Sequence, residues 1–384
     1  MNIEPWMTDA KTLRLLEALP EARFVGGAVR NALLGEKVSD IDLATPLLPE
    51  QVMARLKLVH IHVVPTGIEH GTVTAVVDGT PFEVTTLRRD VETDGRRAVV
   101  AFTTDWREDS LRRDFTMNAL YANAKGDVFD YHNGVADLEA GLVRFVGEAV
   151  ARIREDYLRI LRLFRFHAWY GKGEIDLEAL RASTELKSGI AQLSGERIQK
   201  ELLKLLEAKN PVPVLRVMAE TKILSEILPV ARGLDVLERL VQMDVRDPLL
   251  RLAALLPQDY TSIIAAKLKL SNAQTARLEN LLGADPVPTN EKEARKILYR
   301  IGPAFFADRV HFSQAIDGMD RDALLDLTVP RKFPLTGRDA MDAGIPEGPS
   351  IGHILGQIEN DWVEHNFSEN RAQLLVRLKK AVAG

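Results

Sequence analysis

The chain has 384 residues, is 46% hydrophobic and 27% charged, and carries a formal net charge of −5; this excludes a disordered or collagen-like chain. It has no cysteine, which excludes disulfides, a thiolate nucleophile and Cys-ligated zinc or iron–sulfur centres, and its eight histidines form no H-E-x-x-H or similar ligand motif. With an acidic balance, a nucleic-acid partner must be met by a local basic face and not by the field of the whole molecule.

In chain order, the N-terminal MNIEPWMTDAKTLRLLEALPEA carries acids early and lacks the apolar core of a signal peptide. Thr12–Leu19 within it reads as an amphipathic helix. Ala22–Val25 leads into Gly26-Gly27, and Val29, Leu33 and Leu34 space out a helix stopped by Gly35. Ser39–Ala44 alternates like a strand, and Pro49–Leu58 reads as a helix. Gly71–Val77 and Pro81–Leu87 are β-branched runs joined by Asp78-Gly79, a hairpin dipeptide. The result is an α+β head reaching to about residue 145. Beyond it strand signals fade. Helical periodicity marks Asp156–Trp169, Gly195–Leu206, Val212–Ala219, Leu234–Val241, Pro248–Leu256, Asn272–Leu282, Lys292–Arg300 and Asn370–Val382. Phe333–Gly352, rich in Gly and Pro, reads as loops around one short helix. No fixed-period repeat is present. No run approaches the ~18 apolar residues of a membrane span, so the expectation is a soluble, cytoplasmic protein with no membrane partner. The oligomeric state is left open.

Four constellations carry chemistry. Asp40 and Asp42, two apart on a strand, converge on one side, and paired carboxylates are hard ligands suited to Mg²⁺. A second Asp-x-Asp, Asp320-Arg321-Asp322, reads as a solvated helix start. Gly26-Gly27, between strand and helix, lets backbone N–H groups approach a phosphate at a helix N-terminus, with Arg30 placed to clamp a triphosphate. Glu83 is a third carboxylate that either binds metal or deprotonates an attacking hydroxyl; the bland alternative is a solvent-facing strand Glu. In Arg112-Arg113-Asp114-Phe115-Thr116-Met117-Asn118-Ala119, adjacent arginines precede an apolar helix, Asp114 can orient an Arg, and Asn118 lies one turn on. Finally, Asp156, Arg159, Arg162 and Arg165 recur every three residues beside Leu158, Leu161 and Phe164. This polar stripe reads as an anion or base reader, or as a structural ion-pair ladder. Asp130–Gly134 reads as a turn that shapes the head.

Together these motifs resemble the class II tRNA nucleotidyltransferases, the CCA-adding enzymes of the polymerase beta superfamily, over essentially the whole length. Phe24–Arg30 through Asp40-Ile41-Asp42 is similar to their catalytic motif, and Arg112–Ala119 to their ribose and triphosphate motif. Asp130–Gly134 resembles the motif that lets head and neck move. Glu155-Asp156-x-x-Arg159 resembles the amino-acid template that selects the base, and Gly195-Glu196-Arg197-Ile198 the motif that braces the template helix. Gly348-Pro349-x-x-Gly352-x-x-Leu355 is also family-like.

The resemblance implies a polymerase-beta-like nucleotidyltransferase head (1–145), followed by an all-helical neck (146–209), body (210–300) and tail (301–384), laid out like a seahorse. It implies stepwise addition of C, C and A to the tRNA 3′ acceptor end from CTP and ATP, without a nucleic-acid template, by two-metal chemistry with Mg²⁺. Asp40, Asp42 and Glu83 would be catalytic, the first two as metal ligands. Gly26, Gly27, Arg30, Arg112, Arg113, Asp114, Asn118, Asp156, Arg159, Arg162 and Arg165 would bind the nucleotide. Where the family has Arg-Asp, this chain has Arg30-Asn31; Asn still accepts one hydrogen bond, so the hold on Arg30 is expected to change. Arg88–Thr104 resembles the family's flexible loop, expected to be mobile and needed mainly for adding A.

A bacterial poly(A) polymerase shares the head motifs, but tends to carry an extra basic C-terminal RNA-binding sequence, where this chain ends at Gly384 with an acidic balance. An enzyme adding only CC or only A, and a non-catalytic RNA-binding protein on a degenerate head, are further alternatives. The loop argues against a CC-only enzyme, and the intact Asp40, Asp42, Asp156 and Arg159 against the non-catalytic reading. Some relatives fuse a His-Asp phosphohydrolase domain; no His-Asp dipeptide occurs here, so no such second activity is expected.

Overall fold

Alternation of buried and exposed side chains builds the first part of the molecule. In the computed structural model, which describes residues 1–94, 97–229, 231, 233–283 and 285–383, the chain divides into two units, Met1–Pro229 and Val230–Gly384. The first opens with helix α1 (Ala10–Ala18), β1 (Arg23–Val25), α2 (Gly27–Leu34), β2 (Asp42–Thr45), α3 (Pro49–Leu58), β3 (His62–Gly67), β4 (Thr72–Val77) and β5 (Thr80–Thr86). There follow β6 (Arg88–Asp94), β7 (Arg97–Phe102), α4 (Trp106–Leu111), β8 (Leu120–Ala122), β9 (Val128–Asp130) and α5 (Gly134–Ala140). The main sheet runs β3-β4-β5-β2-β1-β8-β9. The pair β2–β5 is parallel and the other pairs are antiparallel. Val73, Ala75, Phe82 and Val84 are buried, so one face of the central hairpin makes the core.

Local chemistry sets these boundaries. Gly35 ends α2 in the left-handed region, φ 69°, as a helix-stopping glycine does. Asp78 and Gly79 both take positive φ, 47° and 79°, which a two-residue type I′ turn requires. Asp130 turns the chain as expected: its Oδ1 accepts from the N–H of His132 at 3.0 Å and Gly134 at 2.9 Å, and its Oδ2 from Val135 at 3.0 Å.

Two expectations for the head are corrected. Asp40 does not lie on a strand, because β2 starts at Asp42. The β1 partner register, Phe24 opposite Leu43, runs out at the Gly26 turn, and on the other side Pro81 has no N–H to extend the ladder. Nor is Arg112–Ala119 the start of a helix. Helix α4 ends at Leu111, and Thr116–Asn118 is a single 3-10 turn. The segment is drawn out by pairing with residues 144–146: the Thr116 N–H donates to the Arg144 carbonyl and the Val146 N–H to the Asp114 carbonyl, both at 3.0 Å. The stretch 88–104, expected as a loop, has the two-stranded ribbon β6–β7 as its backbone; residues 95 and 96 of that loop lie outside the described residues.

Helices complete the unit: α6 (Ala149–Glu155), α7 (Leu158–Tyr170), α8 (Leu177–Glu185), α9 (Gly195–Leu206), α10 (Val212–Glu220) and α11 (Ile223–Ile227). Here a third expectation is corrected. Asp156 is not part of α7. It is extended (φ −157°, ψ 106°) at the end of α6, and its Oδ1 accepts from the Leu158 N–H at 3.1 Å, so it introduces α7 and does not share its face with Arg159.

The second unit is helical: α12 (Asp235–Gln242), α13 (Pro248–Ala254), α14 (Thr261–Leu268), α15 (Asn272–Leu282), α16 (Glu291–Asp317), α17 (Gly337–Asp342), α18 (Pro349–Glu364) and α19 (Arg371–Ala383). Helix α16 is broken at Gly302, φ 78°, just before Pro303, which cannot continue a regular helix. Helix α17 is the short helix expected in Phe333–Gly352, but that stretch also holds the start of α18, which the Gly/Pro content hides. Its Ile358, Trp362 and Val363 are buried against Leu374 and Leu378 of α19, and Pro349 at its first turn suits a helix start. Among the described residues no helix is long and apolar enough to cross a membrane.

Candidate active site

The carboxylates come first. Because β2 pairs with β5 in parallel, Asp42 stands directly opposite Glu83. Asp40 joins them in lining a cleft of about 570 Å³ with Ser39, Ile41, Thr74 and Phe82. Burial, and then the charges of Glu83 and Asp40, push the Asp42 carboxyl up from 3.8 to about 6, against the opposing charge of Arg113. A carboxylate held so far above its usual range by burial, with two further carboxylates acting on it, is a place where a cation lowers the energy, so the residues fit a divalent metal. Among the described residues no group of three or more His, Asp or Glu side chains could by itself hold a metal ion; an ion here would complete its shell with waters and substrate phosphate oxygens, the usual habit of Mg²⁺.

The Asp42 shift sets an expected pH dependence. The folded chain keeps a proton on Asp42 that the unfolded chain releases near pH 3.8. The stability this contributes is present below that value and is lost as pH rises through about 6. The melting temperature of metal-free protein should therefore show a decline between about pH 4 and pH 7 that Asp42→Asn removes and a divalent cation offsets. An unchanged slope in the Asn variant would show that Asp42 is not its source.

The turn expected to meet a phosphate opens α2. Gly26 caps this helix at φ 65°, ψ −119°, a conformation that favours glycine. The first-turn N–H groups of Gly27, Ala28 and Val29 lie at the positive end of the helix. Arg113 Nη1 lies 3.7 Å from where a Cβ on Gly26 would stand. Asp109 pairs with both Arg112, at 2.8 Å, and Arg113, at 3.1 Å. Burial works to raise the Asp109 carboxyl, but the two arginines and the Tyr121 hydroxyl outweigh it, and the net shift is downward.

Arg30 is buried, not extended into the cleft. Its Nη1 donates to Asn118 Oδ1 at 2.6 Å and its Nη2 to the Tyr170 hydroxyl at 2.9 Å. Its guanidinium lies 4.3 Å over the Tyr170 ring. Asn31 Oδ1 accepts two bonds from it, at 3.1 and 2.8 Å, one more than the sequence reading assigned to it. From Asn118 the network continues. Asn118 Nδ2 donates to Asp114 Oδ1 at 3.0 Å, and Arg162 Nε to Asp114 Oδ2 at 2.7 Å. Burial alone would raise the Asp114 carboxyl, but Arg162, Asn118 and the Phe115 N–H override it and hold it down at about 2. Asp114 is therefore a permanent anion tying the Arg112–Ala119 segment to α7.

On α7 each arginine of the stripe is engaged. Arg159 pairs with Glu155 and donates to the Arg152 and Arg112 carbonyls, both at 2.9 Å. Arg162 pairs with Asp114, and Arg165 with Glu201 of α9. All three arginines thus stand in ion pairs, which orient them without excluding a nucleotide. Asp156 Oδ2 accepts from Arg197 Nη2 at 2.7 Å, so Asp156 and Arg159 are held by different partners.

The sequence reading missed Asp109, Tyr121, Tyr170 and Glu201. Asp109 had a signal, since it stands three and four residues before Arg112 and Arg113 on a short helix. Glu201 had a weaker one, lying on the otherwise apolar face of α9 with Ile198, Leu202 and Leu205. Tyr121 and Tyr170 had none: the separations of 8 and 12 residues from Tyr121 to Arg113 and Asp109 match no single helix turn or strand pair, and Tyr170 lies 140 residues from Arg30.

Residues 22–144 match the model of the family described as "Poly A polymerase head domain", and residues 174–234 the one described as "Probable RNA and SrmB- binding site of polymerase A". The chain is 37% identical to mouse "CCA tRNA nucleotidyltransferase 1, mitochondrial", covering 94% of this chain and 87% of that protein. It is 30% identical to the "CCA-adding enzyme" of Lactobacillus gasseri, covering 94% of each. Among solved structures it is similar to the Bacillus stearothermophilus CCA-adding enzyme in complex with CTP, with a TM-score of 0.75 and 26% identity over 99% of this chain and 98% of that one. The Thermotoga maritima CCA-adding enzyme complexed with tRNA_CCA shares the fold, with a TM-score of 0.69 and 20% identity over 99% and 96% of the two chains.

Proposed function

The chain belongs to the family of CCA tRNA nucleotidyltransferases, and from that premise we propose that it adds C, C and A in turn to the 3′ end of tRNA, using CTP and ATP and no nucleic-acid template. The single observation that best supports a nucleotidyl-transfer site is the parallel pairing that sets Asp42 against Glu83 beside the Gly26 turn and Arg113.

In this reading the nucleotide triphosphate lies against the first turn of α2, its charge met by Arg113 and Arg112, while Asn118 and Asp114 meet the ribose. Gly26 and Gly27 let the backbone come close, and Arg30 braces Asn118. Asp40 and Asp42 would hold the divalent metal, taken here as Mg²⁺, which when bound stabilises charge on the attacking and leaving oxygens. The terminal hydroxyl of tRNA attacks the α-phosphorus, the bond to the bridging oxygen of the β-phosphate breaks, and pyrophosphate leaves. Glu83 would take the hydroxyl proton or complete the acidic set. Asp156 and Arg159 select the base, and Arg162 and Arg165 brace α7. The division into head (1–145), neck (146–209), body (210–300) and tail (301–384), and a cytoplasmic location, belong to the same proposal; the mouse and human relatives are named mitochondrial.

The deciding experiment incubates the protein with tRNA lacking CCA, supplies each nucleotide singly and together, and sequences the products. Ordered C, C, A is expected. The poly(A) reading, favoured by the description of the head family, predicts long A tracts from ATP alone, and a partial enzyme stops after CC or requires a CC end.

Binding of tRNA should be strongly salt-dependent despite the net charge of −5, since each neutralised phosphate releases counterions. An affinity loss of about tenfold or more is expected between ~50 and ~200 mM salt. Much of this contact is assigned to the helical body and tail, so a chain ending at Pro229, the edge of the first unit, should bind weakly. Full affinity in that truncation would contradict the assignment.

A further inference from the structure

Asp109 does not reach the cleft. It lies on α4, is 0% exposed, and yet its two carboxylate oxygens gather several separate groups. Oδ1 accepts from the Arg88 backbone N–H at 3.1 Å, at the foot of the β6–β7 ribbon, and from Arg112 Nε at 2.9 Å. Oδ2 accepts from Arg113 Nη2 at 3.1 Å and from the Tyr121 hydroxyl at 2.7 Å. The same hydroxyl accepts from Arg113 Nε at 3.1 Å. Tyr121 is itself 0% exposed, on β8 between β1 and β9, with its ring edge-on to Trp106 at 5.2 Å. Neither group can easily turn away.

A guanidinium is a planar, rigid fork. Once Nε is held by Tyr121 and Nη2 by Asp109, the plane is set and the direction of the third nitrogen follows. That nitrogen, Nη1, is the one beside the Gly26 turn.

We propose that Asp109, acting with Tyr121, is a positioning residue for nucleotidyl transfer: it fixes Arg113 so that Nη1 faces the place where the incoming triphosphate lies, and holds Arg112 and the ribbon foot to the same carboxylate. The inference rests on the nucleotidyl-transfer reading above. A plain structural counter-ion would be required for stability only. A positioning residue is required for the affinity of whatever Arg113 holds, and not for the choice of base, which is made elsewhere.

The test uses the full chain and tRNA lacking CCA. Asp109→Asn puts an amide donor where one arginine needs an acceptor, whichever way the amide turns. KM for CTP and for ATP should rise together by about tenfold, with a smaller change in kcat and an unchanged CTP:UTP ratio. In an Arg113→Gln background the same change should add less than about twofold, because residues acting through one another are not additive. Tyr121→Phe removes one hydroxyl from the clamp and should raise both KM values by about threefold, with the same dependence on Arg113; it serves where Asp109→Asn does not fold. Unchanged KM with only a lower melting temperature, or effects that multiply fully with Arg113→Gln, would overturn the proposal. Failure of the wild-type protein to incorporate CTP would instead overturn the underlying reading.

Discussion

Asp42→Ala, and likewise Asp40→Ala, should abolish incorporation of C and of A alike while leaving tRNA affinity near the wild-type value. The expected loss is about 10³-fold or more in kcat, because the charge stabilisation of a catalytic metal is worth several kcal/mol. Both nucleotides should lose together, since in the proposed mechanism one set of carboxylates serves both. Unfolding would not account for the loss. Asp42 carries a raised pKa from burial and from its acidic neighbours, so its removal relieves repulsion at neutral pH, and the melting temperature of the metal-free variant should be equal to or higher than that of the wild type. Single-turnover assays with labelled CTP and ATP, with calorimetry alongside, provide the check. A variant that still adds A but not C would refute the shared site.

Asp156→Ala should relax base selection towards UTP and GTP and slow the use of CTP and ATP. C and A present an amino donor beside a ring-nitrogen acceptor, whereas U and G present a carbonyl beside a ring N–H. A carboxylate and a guanidinium complement the first pair and leave the second unpaired, at about 1–3 kcal/mol for each buried group, which corresponds to a fall in the CTP:UTP ratio of about tenfold or more. The geometry leaves capacity for this task. Asp156 spends one bond on Arg197 and one on the Leu158 N–H, and an ionised carboxylate has about four acceptor positions. Asp156→Asn should shift the preference towards UTP more sharply, because its amide donates to a carbonyl. Arg159→Ala should weaken C and A binding, and because Arg159 also holds the Arg112 carbonyl its KM effect should extend to all four nucleotides. Arg162→Ala and Arg165→Ala strip the partners of Asp114 and Glu201 and should lower affinity and stability without moving the CTP:UTP ratio. Values of kcat/KM for the four nucleotides on each variant decide; a wild-type ratio in Asp156→Ala would rule out Asp156 as a base reader.

The difference between the expected and the observed α7 bears on this second experiment. Three-residue spacing places Asp156 and Arg159 on one helical face, but Asp156 is extended and anchored by Arg197 from α9. The position of the Asp156 carboxylate therefore depends on the α9 contact, and Arg197→Ala should partly reproduce the loss of selection expected for Asp156→Ala.

What the sequence determined by itself was whatever short-range chemistry controls. The Asp78-Gly79 turn, the Gly35 stop, the Pro49 start of α3 and the whole of α9 lie where local signals put them, because a turn or cap is settled by a few adjacent residues. The Gly26-Gly27 turn was legible for the same reason, lying beside a strongly patterned strand, but that Glu83 stands opposite Asp42 was not, because the parallel pairing of β2 with β5 is a long-range contact. Only the tertiary structure decided where β2 begins, since that depends on where its neighbours β1 and β5 can still pair. It also decided that Arg112–Ala119 is pulled out of a helix by residues 144–146, and that α18 forms where Trp362 finds the core of α19. The partners of the arginines are of the same kind: Arg30 with Tyr170, Arg162 with Asp114 and Arg165 with Glu201 are separated by 140, 48 and 36 residues. A buried cation must find an anion or an acceptor somewhere, so the sequence requires that partners exist, but which residue answers depends on strands and helices meeting in space.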